Sequence, residues 1–129
     1  MATFTHQDST LGNLLASQSL ALSAGVSTTL DLRLNLSATV RLDVTYGTVT
    51  AGTYATFAWY SMVDGTTFAT VAANAVPDGQ FSLTPVAGTT VTRNVTLSGG
   101  EKYTITLTNG DGTNAVTVRL SNDLVTGIA

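Results

Sequence analysis

The chain has 129 residues, enough for one domain, and carries a net charge of −3 with only 10% charged residues, far below the usual quarter or so. Its basic residues, Arg33, Arg41, Arg93, Lys102 and Arg119, stand singly, so there is no patch to neutralise phosphates, and neither nucleic acid nor an anionic membrane is an expected partner. There is no cysteine, which removes disulfides and thiolate chemistry and leaves stability to packing and strand pairing.

The polar surface comes instead from 25 threonines and 10 serines, and threonine's β-branch favours a pleated strand over a helix. Residues 1–27 read as an extended, polar N-terminal arm or lead-in, with the sandwich domain occupying 28–129. The opening residues lack the basic and apolar regions of a signal peptide, so no leader is expected. Within the lead-in, Leu11, Leu14 and Leu15 stand at i, i+3 and i+4, the spacing of a short helical turn.

From Leu30 the pattern alternates strictly: Leu30, Leu32, Leu34 and Leu36, then Val40, Leu42, Val44 and Tyr46, each set separated by polar residues. Period 2 is the mark of strands with one buried face. A three-residue turn at Ser37-Ala38-Thr39 would set Leu34 opposite Leu42 and Arg33 opposite Asp43. Residues 53–62 are apolar or small on both faces and read as a central strand. Asp64-Gly65 marks a hairpin returning through Thr66 to Thr70, followed by a loop from Ala72 to Gly79.

A short strand at Gln80 to Thr84 precedes three more, at Thr89 to Leu97, Glu101 to Thr108 and Asn114 to Ser121. Their turns are Ser98-Gly99-Gly100 and the Asn109 to Gly112 stretch, the latter setting Ile105 opposite Val116 and Tyr103 opposite Val118. Short strands with turn signals roughly every ten residues imply an all-β fold, a single antiparallel two-sheet sandwich of jelly-roll or immunoglobulin-like topology. The expected core is Leu32, Leu34, Leu42, Val44, Ile105, Leu107, Val116 and Val118.

Catalytic constellations are not legible. The single histidine, His6, lies in the lead-in, away from any nucleophile on the sandwich, and the seven Asp and one Glu fall mainly in turns or on outward positions. No enzymatic activity and no cofactor are expected. Asn109-Gly-Asp-Gly-Thr-Asn114 spaces oxygen ligands as calcium loops do, but lacks the downstream acidic ligand and reads as a turn. Thr104, Thr106 and Thr108 form a single threonine ladder, read as a solvated sheet face. Asn35-Leu-Ser37 and Asn94-Val-Thr96 match the glycosylation pattern by chance in a threonine-rich chain.

Arg93 breaks its pattern, since Val91, Val95 and Leu97 share its parity. Either a bulge turns it outward, or it is a paired charge near a sheet edge or subunit contact. Trp59, with Phe57 and Tyr60, reads as core packing in preference to a sugar-binding face.

Thr28-Thr-Leu-Asp-Leu32, the strand-turn-strand Trp59-Tyr-Ser-Met-Val-Asp-Gly-Thr-Thr-Phe68, and the closing Val116-Thr-Val-Arg-Leu120 and Leu124-Val-Thr-Gly-Ile128 give the chain a likeness. It resembles the small β-sandwich virion proteins of tailed bacteriophages, especially capsid decoration (cement) proteins. The resemblance implies a protein made in the host cytoplasm and bound in many copies to a virion surface, with a major capsid protein or another virion protein, and further copies of itself, as partners. An uncharged Ser/Thr/Ala face suits such packing, and Phe4, Leu11, Leu14 and Leu15, with Arg93, are the expected assembly contacts. The competing reading is an adhesion or carbohydrate-binding module, which an exposed aromatic platform would favour.

Overall fold

The computed structural model describes residues 4–6, 12–62 and 77–128, with the backbone alone at 4–6, 12–13, 62 and 127–128. Nine strands follow in chain order: β1 (Phe4–His6), β2 (Gly12–Leu20), β3 (Gly25–Asp31), β4 (Ser37–Tyr46), β5 (Ala55–Met62), β6 (Gly79–Leu83), β7 (Thr90–Ser98), β8 (Lys102–Asn109) and β9 (Val116–Ile128). They form two antiparallel sheets. One runs β1-β9-β4-β7 with β2 also paired to β9, and the other runs β3-β8-β5-β6.

The pairing has a simple logic. β5 pairs with β6, β4 with β7, β3 with β8 and β2 with β9, so the chain is one long hairpin folded back on itself. Rolling that ribbon adds the pairs β4 with β9 and β5 with β8, which close the two sheets over a shared core. This nested, rolled ribbon is a jelly roll, and it decides against the immunoglobulin-like alternative.

Alternation supplies the core. β4 buries Ala38, Val40, Leu42, Val44 and Tyr46 and turns Thr39, Arg41, Asp43 and Thr45 to the other face. Leu32, Ile105, Leu107, Val116, Val118 and Leu120 complete the same cluster. Each such side chain, fully buried, contributes about 1.5–3 kcal/mol of transfer free energy. Phe57 lies wholly buried and stacks on Phe81 at 5.0 Å between centroids. Trp59, half-buried, packs against the core and lies across Gly79, its cross-strand partner; a Cβ there would sit 2.0 Å from the indole, so any side chain at this position has to displace the ring.

Several expectations need correction. Leu34 is 94% exposed and Leu36 47% exposed, because β3 ends at Asp31 and residues 32–36 cross from one sheet to the other. Ser37-Ala38-Thr39 is the start of β4, not a turn, and Asp43 faces Arg119 and Thr92 rather than Arg33. The Ser98–Gly100 and Asn109–Gly112 turns also carry the chain between sheets, so Ile105 and Tyr103 do not pair with Val116 and Val118. The lead-in is not helical where described: residues 12–20 are β2, and Leu20 reaches the core. Register shifts between Asn13 and Leu15 and between Leu15 and Gln18 break the alternation, so the adjacent Leu14 and Leu15 are both half-buried against the core. The Asp64-Gly65 hairpin lies outside the described residues.

Candidate interaction site

The crossings gather at the two ends of the sandwich. At one end, the 21–24, 47–54 and 110–115 connections meet on Asp111. Its carboxylate accepts from the Thr113 and Asn114 amides (2.8 and 3.1 Å), the Thr50 amide and hydroxyl (both 3.1 Å), and the Asn114 side-chain amide (3.0 Å). Its backbone amide donates to Asn109 Oδ1, and its carbonyl accepts from the Ser23 amide. Asn109, 2% exposed, donates from Nδ2 to the Leu20, Ala21 and Asn114 carbonyls.

These donors, led by the Asn114 side chain, hold the Asp111 carboxyl well below the usual carboxylate range against the opposing effect of burial. A carboxylate ringed by N–H and O–H donors is satisfied as an anion, so the Asn109–Asn114 stretch is a structural latch. Leu22, Tyr54 and Val86, in connections at this end, are each about half exposed, which is ordinary for scattered surface apolar residues.

The opposite end is built around residues 31–36. The Asp31 carboxylate accepts from the Arg33 amide (3.1 Å), Nε (3.0 Å) and guanidinium (2.8 Å), and this hydrogen bonding brings its pKa down to about 2. Five backbone bonds then clamp the loop. The Leu32 amide donates to the Glu101 carbonyl, the Gly100 amide to Leu32, the Asn35 amide to Leu32, the Leu36 amide to Val125 and the Gly99 amide to Leu36, all within 2.8–3.1 Å. Gly99 passes so close that a Cβ would lie 1.9 Å from the Asn35 carbonyl oxygen.

A loop fixed this firmly presents Leu34 almost wholly to solvent, beside a surface depression of about 460 Å³ lined by Asp31, Arg33, Leu34 and Asn35. The inward parity that Leu34 shares with Leu30 and Leu32 hides it in the sequence. The local signal that locates it is Asp31, whose side chain bonds the amide two residues on and so marks an Asx turn ending the strand.

Of the residues expected to make assembly contacts, those described lie at opposite edges of one sheet. Phe4 stands in β1 opposite Ile128, and Leu11 lies outside the described residues. Leu14 and Leu15 sit on β2, paired to one side of β9, whereas Arg93 is on β7 at the far edge of that sheet. β7 has no register shift against β4, so Arg93 is not bulged outward. Its edge position lets the stem lie across the core margin while the guanidinium covers the Phe81 ring, 4.1 Å from its centroid.

No protein-family model and no curated protein matches the sequence. Among solved structures, the chain is similar to the K1 cleaved adhesin domain of Lys-gingipain from Porphyromonas gingivalis W83, at 16% identity over 95% of this chain and 89% of that one, TM-score 0.46. It is also similar to a chain of infectious bursal disease virus, Gx strain, at 12% identity and TM-score 0.41. There the match covers 96% of this chain but 31% of the viral one. Both neighbours are β-rich, and likeness at this level says nothing of what this chain binds.

Proposed function

We propose that the chain is a non-enzymatic structural subunit that docks onto other proteins of a virion, as a capsid decoration protein does. The observation that carries this reading is Leu34, 94% exposed on a loop whose backbone is fixed from both sides. An apolar side chain on a backbone fixed before binding loses less entropy on docking than one on a mobile loop. The outward side of β7 supports it as well. Its residues there are Thr90, Thr92, Asn94, Thr96 and Ser98, so covering that strand desolvates no charge of its own.

The adhesion reading stands second. It is favoured by Tyr60, which lies opposite Thr104 on the outward, hydroxyl-bearing side of β5, and it is weakened by Trp59, which packs against the core.

The test is binding to virions lacking the protein, imaged and titrated with the purified chain and with Leu34→Ser. The proposal expects added density on the shell and a loss of affinity of tenfold or more for the variant. Equal binding by both would remove Leu34 from the contact, and binding to glycan but not to shells would favour the second reading.

A further inference from the structure

Among the described residues, three of the four sheet edges are blunted in ways that discourage pairing. At one, β1 has three residues and β2 is broken by two register shifts. β3 lies beside β2, its Thr28 hydroxyl donating to the Leu14 carbonyl at 3.4 Å. β6 has five residues, with Pro85 two positions beyond its end. β7 has none of these devices. It runs nine residues without proline and matches β4 one for one from Thr45 opposite Thr90 to Ser37 opposite Ser98. Among the described residues no strand pairs with its other side. Its single charged side chain, Arg93, is folded over Phe81 instead of fencing the edge.

We infer that β7 is a self-association edge: two copies of this chain pair their β7 strands antiparallel about a two-fold axis, making one continuous sheet across both. The outward backbone N–H and C=O groups of a straight edge select another strand as their partner, and a two-fold contact needs a patch complementary to itself. β7 meets that condition. Full overlap of Thr90–Ser98 puts the axis at Asn94, sets Thr92 opposite the second copy's Thr96 and Thr90 opposite its Ser98, and leaves Arg93 facing Val95, so no charge meets its like directly. Pairs of hydroxyl-bearing residues across strands are favourable, and the half-exposed Val91 and Val95 gain cover from the second copy. The paired residues of this contact, Thr90 to Ser98, are not those of the Leu34 loop, so either contact can fail without the other.

The test uses the full chain in solution. Light scattering over rising concentration should reach twice the 13.3 kDa chain mass, and Thr92→Lys with Thr96→Lys should return it to a single copy that still unfolds in one cooperative step, its melting temperature no longer rising with concentration. Because the chain has no native thiol, Asn94→Cys introduces one alone. Directly opposed residues lie about 4.5–5.5 Å apart at Cα, within disulfide reach, so mild oxidation should link two copies, whereas Gln80→Cys should not. That result stands even if the double lysine variant fails to fold. A single-copy mass at every concentration, absence of the Asn94→Cys link, or a dimer lost on Leu34→Ser but kept in the lysine variant would each overturn the assignment.

Discussion

The two ends of the sandwich use the same device, backbone clamps between connections from different sheets, and present opposite surfaces. At the Asp111 end the clamp closes inward on a buried carboxylate and a buried amide whose bonding is complete within the protein. At the Leu34 end the clamp closes under an apolar side chain and pushes it outward. The contrast teaches that order in a loop does not reveal its purpose. One end holds the fold shut, and the other holds a side chain open.

The sharpest way to break this comparison is a pair of truncations two residues apart. Leu32 is fully buried, so Leu32→Ala should cost about 2–5 kcal/mol in denaturant unfolding. Leu34→Ala should cost less than about 0.5 kcal/mol, as surface changes do. A loss above 1–2 kcal/mol at Leu34 would mean that the loop packs inward.

Next in size is the latch. Asp111→Asn places an amide where three backbone N–H groups converge, and it should lower the melting temperature at neutral pH by several degrees. Because the folded-state pKa is depressed, the carboxylate's contribution is fully present above the unfolded value near 3.8 and is lost as pH falls through the lowered one. The native protein should therefore melt at a constant temperature down to about pH 4 and progressively lower below it, with a flatter profile for the variant. A native profile as flat as the variant's would deny Asp111 that role. Asp31 shifts in the same direction, but its pair with Arg33 is exposed and should add little.

A smaller effect, of opposite sign, is expected between the ends. Thr104 is 8% exposed and its hydroxyl has no hydrogen-bond partner among the described residues, so Thr104→Val should raise stability by roughly 1 kcal/mol. A loss of stability on calorimetry would show that the hydroxyl has a partner after all. The smallest expected effect on folding is that of Leu34→Ser, near zero, and its value lies in pairing an unchanged melting temperature with weakened docking.

Period-2 alternation marked Leu32, Leu42, Val44, Ile105, Leu107, Val116 and Val118 as core correctly, because inward parity is written into each strand separately. It could not tell which strand is a neighbour. Residues facing the core look alike whichever sheet they belong to, so Ser98–Gly100 and Asn109–Gly112 passed for hairpins within a sheet. Leu34 was misplaced because the alternation runs on past the strand's end at Asp31. β2 was missed because its register shifts erase the pattern that would have revealed it. Arg93 was recognised as anomalous, but its explanation lies in Phe81 on the other sheet, a neighbour that no local pattern announces.

The nested pairing also sets a timetable for folding. β5 and β6 are the partners nearest in sequence, and every later pair encloses the one before it, out to β2 with β9. Contacts between residues so far apart carry a large loop-closure cost and place the chain among slow, millisecond-to-second folders. During synthesis β2 emerges early and waits for the rest of the sandwich. Its partner residues, Val116 to Asn122, are made only after β3 through β8, so this pair cannot close until all of those strands have left the ribosome.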